Sequence, residues 1–335
     1  MSELYYAFVG LITLGVCVSA RPMGHALQLV DYPDGVRKFH PSPTPLLGGF
    51  AISLPVAALS LALGLATGDL LHHGVLALAV LGYFALGYAD DRYRLSPSVR
   101  LLFSILLTLL VLNLVPEFRI QSLKFSFLEM PVGVASWHYV FNLIVVVGFV
   151  YALNMADGIN GLVAGLLIIW TVLILGFAPD FIVPILIALL AGLVVFFVFN
   201  LSNRLFLGDA GSYSLAILIA LLSIATYNSN QGDLAADTVA IWFLVPVLDC
   251  LRLMVMRVAR GKSPLAPDNS HLHHILARWL SRSWALVYYF ALVAVPSVLA
   301  AIWPDYLLLW LAICIATYCF TLFVGYRGIR SEKAI

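Results

Sequence analysis

Eleven apolar runs limit what this chain can fold into: approximately Leu4–Ala20, Leu47–Ala66, Gly74–Ala89, Val99–Val115, His138–Asn154, Gly158–Phe177, Phe181–Leu201, Tyr213–Tyr227, Val239–Val258, Trp284–Trp303 and Tyr306–Tyr326. A helix needs about 20 apolar residues to cross the hydrocarbon, and slightly shorter runs suffice when flanking residues reach the interface. The runs predict an all-α polytopic membrane protein. Composition agrees: 62% of the 335 residues are hydrophobic and only 10% charged, too little polar surface for a water-soluble domain of this size. Val18-Ser19-Ala20 weakly resembles a cleavage site, but no basic residue precedes the first run and Arg21 follows it, so an uncleaved first span is expected.

Assigning the loops alternately to the two membrane faces gathers 16 of the 18 Lys and Arg residues on one side, leaving Arg119 and Lys124 on the other. By the positive-inside rule the crowded side is cytoplasmic, with the N-terminus outside and the C-terminus inside. Dropping one span would scatter the basic residues over both faces. The stretch from Pro116 to Trp137 is then external, and its alternation at 118–120 and 123–127 suggests a short hairpin between spans four and five. Trp137, Tyr139, Trp284, Trp303, Tyr306 and Trp310, near span ends, read as interfacial anchors. A net charge of +1 with no basic stripe argues against nucleic acid as a partner. Cys17, Cys250, Cys314 and Cys319 fall in apolar stretches and read as small core residues. Residues 1–335 read as one membrane domain without repeats.

The polar clusters converge on the cytoplasmic face, in loops at 21–46, 89–98, 154–161, 202–212 and 259–283. They are Asp90-Asp91; Asn154-Met155-Ala156-Asp157-Gly158-Ile159-Asn160-Gly161; Phe206-Leu207-Gly208-Asp209-Ala210-Gly211-Ser212; and Asp268-Asn269-Ser270-His271-Leu272-His273-His274. Acids at the ends of lipid-buried helices cost free energy unless solvated, paired or metal-bound, so several on one face suggest a site. Hard oxygen ligands suit Mg²⁺, with Mn²⁺ a substitute, completed by phosphate oxygens from a nucleotide diphosphate. Asp157-Gly158 and Asp209 to Ser212 each precede a helix start, where free N–H groups favour anions. Alone, each cluster has an ordinary explanation: a solvated helix end, a turn, surface histidines. Asp249, in the ninth span, reads equally well as a structural partner of Arg252 one turn on.

Together the four motifs, in this order, resemble the polyprenyl-phosphate N-acetylhexosamine-1-phosphate transferases, as does the early stretch from Asp31-Tyr32-Pro33-Asp34 to Pro45-Leu46-Leu47-Gly48-Gly49. The resemblance implies transfer of a sugar 1-phosphate from a UDP-N-acetylhexosamine to undecaprenyl phosphate at the cytoplasmic face of a bacterial inner membrane, with release of UMP. It implies that Asp90 and Asp91 act near the acceptor phosphate and the metal, with Asp90 deprotonating the acceptor. Asp209 becomes the leading Mg²⁺ ligand, with Asp91 and Asp90 beside it, and Asp157 joins these three as a catalytic residue. Asn154 and Asp157 fall in the nucleotide-side shell, Asn160 among the substrate residues, and His271, His273 and His274 at the donor's pyrophosphate or sugar. The His-Leu-His-His spacing looks like the branch using UDP-N-acetylglucosamine. Two departures bear on sugar identity: Asn160 stands where many members have Asp, and Asn269-Ser270 where many have Arg.

A transporter would need ionisable residues at mid-span, for which Asp249 is the only candidate. A prenyltransferase would need a second DDxxD-like motif, and Asp90-Asp91 has no such counterpart. Single displacement and a covalent aspartyl intermediate both stay open, as does formation of a homodimer.

Overall fold

Every apolar run carries a helix in a computed structural model, which describes residues 2–33, 42–134, 137–264 and 270–332. Arg37, Lys38, Asp34, Asp268 and Asn269 lie outside the described residues. The chain divides into two compact units, Met1–Gln121 with Val134–Ser229, and Ser122–Gly133 with Asn230–Ile335. Among the described residues, nine helices are long and apolar enough to cross a membrane, and a bent pair raises this to as many as ten. The protein is a polytopic, mostly helical membrane protein.

The first unit contains α1 (Ser2–Val18), α2 (Ala20–Leu27), β1 (Val30–Asp31), β2 (Thr44–Pro45), α3 (Gly48–Thr67), α4 (Leu70–Tyr93), α5 (Pro97–Leu114), α6 (His138–Ala156), α7 (Leu162–Leu175), α8 (Val183–Leu201) and α9 (Gly208–Ser229). Helices α1 and α2 form the bent pair, at 72°. The axis of the unit is α9, buried over its whole membrane-length window and packed against α3, α4, α6 and α7. Its Gly211, Ser212, Ser214, Ala216, Ala220, Ser223 and Ala225 explain the placement, because small residues let helices approach closely in lipid, where burial alone supplies little drive. Hydroxyls join the layers: Ser53 Oγ lies 2.6 Å from Ser214 Oγ, and Tyr83 Oη 2.6 Å from Thr108 Oγ1. On α5, by contrast, Leu101, Leu102, Phe103, Leu106 and Leu110 are exposed, as suits a lipid-facing helix.

The sixth run is shorter as a helix than its composition suggests. Helix α7 has 14 residues, about 21 Å at 1.5 Å per residue, against a core of about 30 Å. Residues 157–161 leave the helical path: Gly161 has φ +93°, and its N–H is taken by the Asn200 side chain at 2.5 Å. The first turn of the run is thus given to a loop at the polar clusters.

The second unit holds a hairpin of β3 (Ser122–Leu123) and β4 (Val132–Gly133), then α10 (Ala236–Ala259), α11 (Leu272–Trp279), α12 (Arg282–Ile302) and α13 (Leu307–Glu332). The hairpin is shorter than the alternation suggests because Pro116–Phe118 coils into a 3₁₀ turn with Phe118 fully buried. Asp237, in the first turn of α10, anchors it by accepting from the Ser126 N–H at 3.0 Å and the Ser126 hydroxyl at 2.6 Å. Trp137, Trp284, Trp303 and Tyr306 are exposed, as interfacial anchors require. Cys17, Cys250 and Cys314 are buried, whereas Cys319 is exposed on α13 beside exposed Phe320, so the expectation of a core position fails for that residue.

Candidate active site

The end of α4 meets the start of α9, and glycine makes the meeting close. A Cβ on Gly87 would collide with the Asp209 carbonyl and the Ala210 nitrogen. One turn further along α4, Asp91 caps α9 from outside: Oδ1 accepts the Asp209 N–H at 3.0 Å and Oδ2 the Ala210 N–H at 3.0 Å. An aspartate oxygen is a strong acceptor for orphan helix-start donors, and its charge suits the positive helix end. Gly208, at φ +72°, turns the chain into α9, and a Cβ there would lie 2.8 Å from Asp91 Oδ2. The preceding residues are held by Pro45 to Gly49: Phe206 N donates to the Pro45 carbonyl at 2.9 Å, and Gly48 N to the Phe206 carbonyl at 3.0 Å. Gly87→Ala should therefore push α4 away from α9, lowering the unfolding temperature in detergent by the equivalent of about 1–3 kcal/mol and reducing activity with it.

This arrangement revises the expectation of a helix start free to bind phosphate at α9. At α9, the first N–H groups already serve Asp91. At α7, the Gly161 N–H serves Asn200, whose own Nδ2 donates to the Leu205 carbonyl at 2.8 Å.

The structure brings Asp90, Asp91, Asp209 and Asn154 together. Asn154 Nδ2 donates to Asp209 Oδ1 at 2.6 Å and to Ser212 Oγ at 3.0 Å, so α6 orients the carboxylate of α9. Asp209 also interacts with the carboxyl group of Asp90 and feels the charge of Asp91, while Asp31, at the end of β1, acts on Asp91. Asp90 is buried and tightly held: its Oδ2 accepts from Arg100 at 2.7 Å and from the Tyr213 hydroxyl at 3.1 Å, and its Oδ1 from the Leu95 N–H at 2.9 Å. Of the three carboxylates, Asp90 is paired with the Arg100 guanidinium, Asp91 with backbone N–H groups and Asp209 with the Asn154 amide. Mg²⁺ binds through one or two carboxylates with phosphate oxygens and water completing the shell. Among the described residues no three acidic or imidazole side chains converge as a ready centre, and with both oxygens of Asp91 and of Asp90 already accepting from protein donors, Asp209 is the acid such an ion would use.

Asp157 follows α6 and has a different environment. It is exposed to solvent, and neighbouring protein atoms first, then the charge of Asp91, shift its pKa upward. Asn160 Nδ2 donates to Asn203 Oδ1 at 2.6 Å, joining the loop to the turn after α8, where Asn203 has φ +56°.

In the second unit, His271 precedes α11 and His273 and His274 lie in its first turn. The rings of His271 and His273 stack at 5.4 Å and 6°, and those of His273 and His274 lie 4.2 Å apart. Burial first, then the charges of His274 and His271, hold His273 well below the usual imidazole pKa, so it is neutral near pH 7. Asp249 pairs with Arg252 at 2.8 Å, and equally with His271 at 2.8 Å.

Sequence reasoning did not find Arg100, Tyr213, Asn200 and Asn203, or the bond between Asp249 and His271. Arg100 offered one signal: it is a charge just inside an apolar span, four residues after the Ser96-Pro97 helix start. Each of the others has a partner more than 20 residues away, of which local spacing carries no sign.

Residues 73–227 match the model of Glycosyl transferase family 4. The chain is 27% identical over 288 residues to an undecaprenyl-phosphate alpha-N-acetylglucosaminyl 1-phosphate transferase of Yersinia pestis, covering 83% of this chain and 76% of that protein. The transferase of the same name from Escherichia coli is 27% identical over 270 residues, 77% of this chain and 72% of its own length. A probable undecaprenyl-phosphate N-acetylglucosaminyl 1-phosphate transferase of Bacillus subtilis is 28% identical over 301 residues, 85% of this chain and 81% of its own.

Proposed function

We propose that the chain, whose residues 73–227 match the model of Glycosyl transferase family 4, transfers N-acetylglucosamine 1-phosphate from UDP-N-acetylglucosamine to undecaprenyl phosphate, releasing UMP. The observation that carries this reading is the junction of α4, α6 and α9, where Asp90, Asp91, Asn154 and Asp209 meet. Relatives bearing that activity in their names align over most of the chain.

A phosphate oxygen of the acceptor attacks the donor's β-phosphorus in line. The bond from that phosphorus to the bridging oxygen breaks, and UMP leaves with the bridging oxygen and its electron pair. When bound, Mg²⁺ supplies charge neutralisation for the pyrophosphate and the departing UMP. Asp209 would hold it, oriented by Asn154 and kept at the helix start by the Asp91 cap. Asp90, held by Arg100 and Tyr213, sets the geometry around Asp209 and stands nearest to the role of acceptor-side base. Asp157 and Asn160 line the loop on the nucleotide side, and His271, His273 and His274 contact the donor's phosphates or sugar.

The reading includes eleven crossings, counting the bent α1–α2 pair and the short α7, with the N-terminus outside and the site at the cytoplasmic face of a bacterial inner membrane. The one-sided distribution of Lys and Arg supports this topology. Donor labelled with ³²P in its β-phosphate tests the bond that breaks: the label should pass to the organic phase with the lipid. Label left in UDP while the sugar moves would indicate a sugar transferase instead.

A further inference from the structure

Asp249 lies buried in the middle of α10 with five donor contacts, far more than a helix-turn ion pair needs. Arg252 Nη2 donates to Oδ1 at 2.8 Å and Tyr318 Oη to Oδ1 at 3.1 Å, while the Leu272 N–H approaches Oδ1 at 3.2 Å and Oδ2 at 3.1 Å. His271 Nδ1 lies 2.8 Å from Oδ2. Arg252 is itself fixed, by Tyr318 at 3.1 Å, Tyr326 at 2.8 Å and the Ser270 carbonyl at 2.7 Å. A carboxylate so crowded by donors and paired with a guanidinium is acceptor-only, so Nδ1 of His271 must carry a proton. That leaves Nε2 as the only nitrogen of His271 able to meet a ligand.

We propose that Asp249 is a positioning residue for the transfer reaction, resting on the function proposed above: it fixes the ring and tautomer of His271 so that Nε2 is offered to the donor's phosphate. The same carboxylate caps α11 through Leu272, so one mid-span acid sets both the start of the helix and its leading histidine. Carboxylates that hold the far nitrogen of a working imidazole act in this way at metal and catalytic sites. The charged and titratable groups around the pair are Arg252 on α10, His273 and His274 on α11, Tyr289 on α12 and Tyr318 on α13. The polar residue in the ninth span thus receives a task in the reaction, which removes it as evidence for a transport path.

The test is a double-mutant cycle on the full-length protein in detergent. Asp249→Asn should lower kcat roughly 10- to 100-fold with little change in the KM for undecaprenyl phosphate. Combined with His271→Ala it should cost no more than His271→Ala alone, and additive losses would overturn the assignment. Selective ¹⁵N-histidine NMR supplies a readout independent of activity. The signal lost in His271→Asn should show a protonated Nδ1 in the wild type and change in Asp249→Asn. If Asp249→Asn does not fold, the wild-type tautomer decides, and a His271 protonated only on Nε2 contradicts the proposal. A wild-type protein with the expected tautomer but no transfer activity would count against the proposed function and leave the Asp249–His271 geometry standing.

Discussion

Asp209→Asn should reduce UMP formation on the order of 10³-fold or more while the protein inserts and melts as the wild type does. The loss follows from the position of Asp209 at the start of α9, with Oδ1 held by Asn154 and the carboxyl groups of Asp90 and Asp91 acting on it. A neutral amide cannot replace a carboxylate as ligand to a hard divalent ion. Stability is spared because the α9 start is capped by Asp91, not by Asp209, and because removing one of several like charges relieves repulsion. Thermal unfolding in detergent should therefore be unchanged or slightly higher in the variant without Mg²⁺. An Asp209→Asn protein that turns over at a tenth of the wild-type rate or better would sink the ligand assignment.

Arg100→Ala should have the opposite profile, a large loss of stability that takes activity with it. Its guanidinium is the counter-charge of Asp90, whose side chain is 5% exposed against 22% for Arg100. Removing one partner of a buried pair leaves an uncompensated charge and costs about 3–5 kcal/mol, whereas replacing both with apolar residues is often neutral. Arg100→Met combined with Asp90→Leu should therefore regain most of the melting temperature lost in Arg100→Ala and remain inactive. Recovery of activity along with stability would show that Asp90 is needed only for packing.

The membrane architecture was readable because lipid imposes a simple demand: each crossing must be apolar and helical, so composition alone locates it. The runs at Leu47–Ala66, His138–Asn154 and Val239–Val258 match α3, α6 and α10 to within a few residues. The shortening of α7 was not readable, because Gly161 leaves the helix for a partner, Asn200, supplied by the next helix. The motifs also identified the acids of the site but not their relations. Asp91 is legible as an acid at a span end, yet its capping of α9 links residues 118 positions apart. For the same reason the α9 start looks open to phosphate in the sequence, when the Asp91 side chain already fills it. Asp249 shows the limit most clearly: its bond to Arg252 lies within one helical turn and follows from spacing, while its bond to His271 crosses a loop and does not.

On the proposed function, the junction of α4, α6 and α9 joins a nucleotide donor to a lipid acceptor. Release of UMP from UDP-N-acetylglucosamine by the purified protein, assayed with undecaprenyl phosphate and Mg²⁺ each present or omitted, tests it most directly. UMP should form only when donor, lipid and metal are all supplied. UMP formed at full rate without the lipid, or none formed from any UDP-N-acetylhexosamine with all components present, would contradict it.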